Sequence, residues 1–222
     1  MTLPDQRASA VQALLGPFLN SLGLLGIEYN LTTSNSESYF DHFNTYLGPL
    51  PYGQEPATTT LMSRLIPKAT AFNTTKMASF VDAVRYIVED GDFLVGCLVL
   101  NASSKSHPDN SVLPAWREAI TGCNINAYWD FAAPLETNLA VKRKMVDTYV
   151  PAFEMATPGG GVYMNEIDPW YQGDWKKELY GEAYDRLASI KQTYDPSHLF
   201  WGKFNVGGDS LYLDGEGRLC QP

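Results

Sequence analysis

The sequence predicts an α+β fold: an antiparallel sheet with helices packed on one face, plus a C-terminal strand–helix unit. Three observations predict it. Apolar residues recur at helical spacing over 74–89, 135–153 and 175–194. Short extended stretches lie between and beside them, at 58–66, 93–101, 124–132 and 162–167. Proline and glycine punctuate the joints, at Pro67, Gly91 and Gly159 to Gly161.

Taken in order, Gln6 to Leu25 reads as a helix kinked around Gly16 and Pro17, and Ile27 to Thr32 as a short strand. Ser36 to Leu47 begins on a serine and carries apolar residues at helical steps, giving a second helix. Thr58 to Ile66 is extended and stops at Pro67. Thr74 to Glu89 places Met77, Phe80, Val81, Val84 and Val88 on one helical face, and Gly91 ends it. Phe93 to Asn101 is almost continuously apolar and reads as a buried strand, with Cys97 a small buried hydrophobe inside it. Pro114 to Ile120 makes one or two helical turns. Asn124 to Ala132 alternates, with Ile125, Ala127, Trp129 and Phe131 on one side. Leu135 to Phe153 is a long helix, Val162 to Ile167 a strand, and Trp175 to Tyr194 a helix with Tyr180, Tyr184, Leu187 and Ile190 as its inner stripe. The expected division is 1–158, a substrate-binding-like α+β domain, and 159–222, a C-terminal segment, packed together as one unit.

Composition narrows the function classes. With 222 residues, 45% hydrophobic and 18% charged, the chain is globular and long enough for a core without metals or a disulfide framework. A net charge of −9 argues against a general nucleic-acid binder, which needs surplus cations, and against docking on an anionic membrane. Three cysteines, Cys97, Cys123 and Cys220, are odd in number, and the three histidines form no His-x-x-x-His pair, so no metal site is expected. The apolar run Phe93 to Leu100 is too short to span a bilayer, and no secretion signal is legible, which gives a cytoplasmic expectation. Asn-x-Ser/Thr sequons stand at Asn30, Asn73 and Asn101.

The candidate chemistry concentrates late in the chain. Glu166 and Asp168, two apart on a strand, would share a face; their repulsion would raise one pKa and make a general acid or base. Tyr163 and Asn165 fall on that face too. Tyr180 and Tyr184, one helical turn apart, are read as packing with a substrate-contacting alternative. His42, in an aromatic helix, is a candidate proton carrier beside a structural reading. Arg64 could pair with a carboxylate of the protein or with a substrate anion. His107 is expected to be exposed and His198 to be a turn residue. Gly159 to Gly161 precedes a strand, so it reads as a flexible turn and not a phosphate cradle.

Beyond single residues, a succession of motifs carries a resemblance. Tyr163-Met164-Asn165-Glu166-Ile167-Asp168 is followed by Trp175, then Tyr180-Gly181-Glu182-Ala183-Tyr184-Asp185-Arg186-Leu187 and Lys191, then Tyr194-Asp195-Pro196 to Phe200, then Val206-Gly207-Gly208. This resembles the C-terminal region of berberine-bridge-enzyme-like flavoproteins of the vanillyl-alcohol-oxidase superfamily, in their fungal form. Tyr39 to Phe43, Ser63 to Pro67 and Leu113 to Arg117 add weaker matches. Two departures stand out: Ala183 replaces the family's asparagine, and Val206-Gly207-Gly208-Asp209-Ser210-Leu211 departs from its V-G-S-E-x-W ending.

The resemblance implies the substrate domain plus the C-terminal segment, with the flavin-binding N-terminal domain absent. It implies hydride transfer from a secondary-metabolite-type small molecule to FAD, should a flavin-binding partner half exist, and no cofactor tightly bound by this chain alone. It places Glu166 on an active-site strand and adds Asn165, Tyr180, Tyr184, Arg64 and Trp129 as substrate-binding candidates beside Glu166, Asp168, Tyr163 and His42. The expected partners are a second copy, through the aromatic stripe of 175–194, or a separate flavin half. Two alternatives accompany this reading: a flavin-independent cyclase, isomerase or dehydratase in the same cavity, and a non-catalytic binding protein. Full-length family members are often secreted.

Overall fold

The computed structural model describes residues 3, 5–48, 59–99, 102 and 110–221. His107 and the sequon at Asn101 lie outside them. The chain divides into two compact units, Met1–Ala57 and Thr58–Pro222.

Among its described residues the first unit holds two helices. α1, Ala8–Leu24, contains Pro17 and buries none of its residues. α2, Tyr39–Tyr46, is capped by Ser38, whose Oγ accepts from the Asp41 N–H at 3.1 Å. The backbone at 27–32 is irregular and forms no strand, against the sequence expectation.

The second unit is built on a three-stranded antiparallel sheet. In chain order it comprises β1 (Thr59–Pro67), α3 (Lys68–Ala71), α4 (Thr74–Val88), β2 (Leu94–Val99), α5 (Ala115–Glu118), β3 (Ala119–Tyr128), α6 (Leu135–Lys144), α7 (Val150–Ala156), α8 (Trp175–Tyr180), α9 (Tyr184–Tyr194), and a small hairpin of β4 (Tyr212–Leu213) with β5 (Leu219–Cys220). The strand order is β1-β3-β2, so β3 is central and pairs on both sides. Pro67, which has no N–H to give a ladder, sits at the end of an edge strand, where its missing donor costs nothing.

Alternation on β3 buries Ala119, Cys123, Ile125 and Ala127. Cys123, Ile125 and Ala127 share the main core with Met62 and Ile66 of β1, Ile87 of α4 and Phe153 of α7, while Ala119 packs with Leu65 and Leu113 in a smaller cluster. Between α6 and α7 the helix widens into a five-residue π turn, Met145–Tyr149, that buries Met145, Val146 and Tyr149. Tyr180 and Phe204 belong to the same core, so residues on both sides of 158 share one interior.

Several sequence expectations are corrected. The apolar stretch at 93–101 is not a buried strand: β2 is an edge, with Leu98 exposed at 74% and Val99 at 79%. Only Val95 of that strand packs on the core. Cys97 is not a buried thiol; it faces Cys123 across the ladder and is disulfide-bonded to it. On α4, Ile87 is the fully buried residue, while Val81 and Val88 are exposed. No strand forms over 162–167; Gly161 makes one bridge to Leu65, and Met164–Glu166 is a 3₁₀ turn. The helix expected over 175–194 is broken by a 3₁₀ turn at Gly181–Ala183. Of its stripe, Tyr180 is buried and Tyr184 and Leu187 pack partly buried on the chain's own core, while Ile190 is exposed.

Candidate active site

Asp168 is the fixed point of the site. Pro169 follows it, which holds Asp168 extended, and its Oδ1 accepts from the Trp170 N–H at 2.8 Å in a local turn. The turn closes through the Tyr171 N–H donating to the Asp168 carbonyl at 2.9 Å. Oδ2 accepts from Thr60 Oγ1 of β1 at 3.0 Å and pairs with Lys142 Nζ of α6 at 3.0 Å. The carboxylate is buried, at 2% exposure, so burial is offset by a charge partner and two hydrogen bonds. Lys142 also lies 5.0 Å from the centre of the Trp170 ring.

These groups line a cavity of about 160 Å³ together with Leu61, Trp129, Asn165, Glu166, Ile167 and Pro169. Trp129 is set by the turn after β3. Asn138 of α6 holds that turn at Asp130, accepting from the Asp130 N–H and donating to the Asp130 carbonyl, each at 2.9 Å. Glu166 is half-buried at the cavity wall, and its carboxylate makes no hydrogen bond or ion pair among the described residues. The strand geometry from which the carboxylate pair was expected is absent, since Met164–Glu166 is a 3₁₀ turn; both carboxylates line the cavity, and Asp168 bonds Lys142 and Thr60.

The other sequence candidates divide. Asn165 lines the cavity and donates through Nδ2 to Tyr163 Oη at 2.6 Å. Tyr163 itself is outside the lining; its N–H donates to Ser63 Oγ at 3.0 Å and its ring meets Trp116 edge-on. Tyr180 is buried and donates to the Phe204 carbonyl at 2.9 Å, and burial pushes its hydroxyl pKa up to about 12. Tyr184 bonds Asp209 and stacks under Lys176. Neither tyrosine lines the cavity. Arg64 is 4% exposed and is used internally: Nε donates to Thr157 Oγ1 at 2.9 Å, Nη2 to the Thr157 carbonyl at 3.1 Å, and Nη1 to Glu178. His42 lies in the first unit, its ring 5.0 Å from that of Tyr46 and 6.2 Å from that of Tyr39.

Thr60, Lys142 and Pro169 were not sequence candidates. No local motif joins Lys142 to Asp168; the available signal was the basic run Lys142-Arg143-Lys144 in an otherwise acidic chain. The cavity does not fit a flavin dinucleotide. Its volume is about 160 Å³, against ~300–1,000 Å³ for common ligand pockets. A pyrophosphate would face Glu166 and Asp168, with Lys142 already committed to Asp168.

The family model described as "Berberine and berberine like" matches residues 162–207. The bifunctional decalin synthase calF of Penicillium decumbens is 46% identical over 222 residues, covering 100% of this chain and 39% of that protein. The FAD-linked oxidoreductase orf1 of Neocamarosporium betae is 34% identical, covering 99% of this chain and 39% of the relative. The crystal structure of VAO-type flavoprotein MtVAO615 from Myceliophthora thermophila C1 superposes with a TM-score of 0.91 at 37% identity, covering 99% of this chain and 40% of that one. The chain thus spans about two fifths of the length of these relatives. Fold, motif succession and relatives agree: the chain is similar throughout to the C-terminal part of berberine-bridge-enzyme-like, vanillyl-alcohol-oxidase-type flavoproteins.

Proposed function

We propose that the cavity beside Asp168 holds a small organic substrate and that Glu166 moves a proton on it, as the substrate-facing part of an FAD-linked oxidoreductase. The observation that carries this reading is the contrast between two neighbouring carboxylates. Asp168 is fully engaged, while Glu166 faces the cavity with its carboxylate unengaged among the described residues. A base at a cavity wall suits removal of a proton from carbon or oxygen of a small substrate. Trp129 supplies a flat apolar wall. The names of the relatives, several of them FAD-linked oxidoreductases, favour a redox outcome.

A second reading is cyclisation without net oxidation. It is favoured by the decalin synthase at 46% identity. Product mass separates the two: oxidation gives a product two hydrogens lighter, cyclisation or isomerisation one of unchanged mass. Glu166→Gln tests both, since it keeps shape and removes the titrating group. Turnover is expected to fall by about 10²–10⁴-fold with the circular dichroism spectrum unchanged. Wild-type turnover in that variant would remove Glu166 from the mechanism.

A further inference from the structure

We propose that the cavity beside Asp168 selects its substrate by charge, with Glu166 as the residue that sets the rule. It takes a molecule whose inserted end donates hydrogen bonds, an ammonium or a hydroxyl, and refuses carboxylates and phosphates. The inference rests on the reading of that cavity as a substrate site and goes beyond it in naming what the substrate must present. The first observation is the charge balance of the lining. Its charged side chains are Lys142, Glu166 and Asp168. Lys142 and Asp168 stand 3.0 Å apart, with side chains 16% and 2% exposed, and cancel each other. Glu166 is half-buried, and its carboxylate has no partner among the described residues. The wall therefore keeps one uncompensated negative charge.

The second observation is where the polar hydrogens of the lining go. Thr60 Oγ1 gives its single hydroxyl hydrogen to Asp168 at 3.0 Å. Asn165 Nδ2 donates to Tyr163 Oη at 2.6 Å, which leaves Oδ1 as the unengaged end of that amide. Both Asp168 oxygens are taken, Oδ1 by the Trp170 N–H and Oδ2 by Thr60 and Lys142. Among the described residues the wall thus offers acceptors: the Glu166 carboxylate and Asn165 Oδ1. An incoming carboxylate or phosphate brings further acceptors, whereas an ammonium or hydroxyl brings the donors that these oxygens lack. Trp129 agrees in sign, because the face of an indole attracts cations.

Cations outside the lining do not reverse that sign. Arg143 lies 5.7 Å from the centre of the Trp170 ring and 3.6 Å from Glu136, which offsets it. Lys203 donates to the Pro169 carbonyl but is exposed, so water and salt screen it more than they screen Glu166 at the cavity wall. A few ångströms from Glu166, a bound cation and a bound anion should differ in affinity by about tenfold or more.

The test titrates the full chain, isotope-labelled on its indole nitrogens, with benzylammonium, benzyl alcohol and benzoate at neutral pH and low salt. The nuclear magnetic resonance signal of Trp129, assigned through Trp129→Phe, locates each probe. Dissociation constants are expected to rise in that order, with benzoate at least about tenfold weaker than benzylammonium and the gap narrowing as salt is added. Glu166→Gln should close the gap with the circular dichroism spectrum unchanged, because that carboxylate holds nothing in place. Equal binding of benzoate and benzylammonium, or a gap that survives Glu166→Gln, would overturn the charge rule and leave the cavity standing as a substrate site. No movement of the Trp129 signal with any of the three probes would remove the substrate site, and the rule with it. A closed gap in Glu166→Gln together with wild-type turnover would uphold the rule while ending the proton-transfer role: Glu166 would then sort ligands without taking part in the chemistry.

Discussion

Asp168 and Glu166 stand two residues apart and differ in what they hold: Asp168 bonds Thr60, Trp170 and Lys142, while the Glu166 carboxylate bonds nothing among the described residues. Asp168→Ala removes the acceptor of the Thr60 hydroxyl and the Trp170 N–H and the partner of Lys142. Leaving such groups unpaired costs about 1–3 kcal/mol. We expect a lower urea midpoint at unchanged slope; an unchanged midpoint would show that water replaces the carboxylate at no cost. Glu166→Gln should leave that midpoint where it is, because its carboxylate holds nothing in place. The acidic pair was legible in the sequence, and so was its neighbourhood with Asn165. Its pairing was not. Lys142 and Thr60 reach Asp168 only through the packing of α6 and β1, which no spacing rule near residue 168 encodes. Tyr180 and Tyr184 illustrate the converse: helical spacing correctly put them on one stripe, and that stripe faces the interior.

At the scale of elements, α8 and α9 would be one helix but for Gly181, whose φ of +57° and ψ of −140° lie where a Cβ is strongly disfavoured. Gly181→Ala should cost about 1–3 kcal/mol, checked by chemical denaturation. A variant as stable as the parent would mean that the two helices can join without loss. The sequence announced this glycine within the Tyr-Gly pair, yet periodicity ran straight across it, because both helices present their apolar residues to the same core. The opposite error occurred at 93–99. Continuous hydropathy normally marks a strand covered on both faces. Here β2 has β3 on one edge only, and Leu98 and Val99 stay exposed. Strand order is a property of the whole sheet and leaves no trace within six residues. The breadth of Met145–Tyr149 was equally hidden, since a π turn keeps an apolar pattern that resembles a longer helix.

For the molecule as a whole, the acid limb of stability follows from paired aspartates. Asp90 is held below the usual carboxylate range by Lys144 and then Tyr149, Asp195 by Lys191, and Asp209 by Lys176. Asp214 is lowered by the backbone N–H and the guanidinium of Arg218. A carboxylate depressed in the folded state stabilises above its unfolded value, about 4, and that contribution is lost as pH falls through the folded value. The net charge of −9 works the other way, since acidification relieves self-repulsion. We expect the pairs to prevail, with the thermal midpoint dropping below about pH 4. A midpoint that rises on acidification through that range would give the decision to the repulsion.

The strand order has a consequence for how a ribosome delivers this chain. β1 and β2 never touch; each pairs only with β3, which is made last of the three. While β1 and β2 are the only strands synthesised, neither has a strand partner, and Met62, Ile66 and Val95 await the core they join. Such non-local pairing makes folding slow and exposes the nascent chain to aggregation. Sheet formation therefore begins as a late, concerted event once β3 emerges, and Cys123 arrives on that same strand to trap Cys97. A chain ended at Glu118 should remain without sheet and leave Cys97 open to alkylation at the rate of an unstructured thiol. Protection of Cys97 in that truncated chain would show that β1 and β2 find a partner before β3 exists.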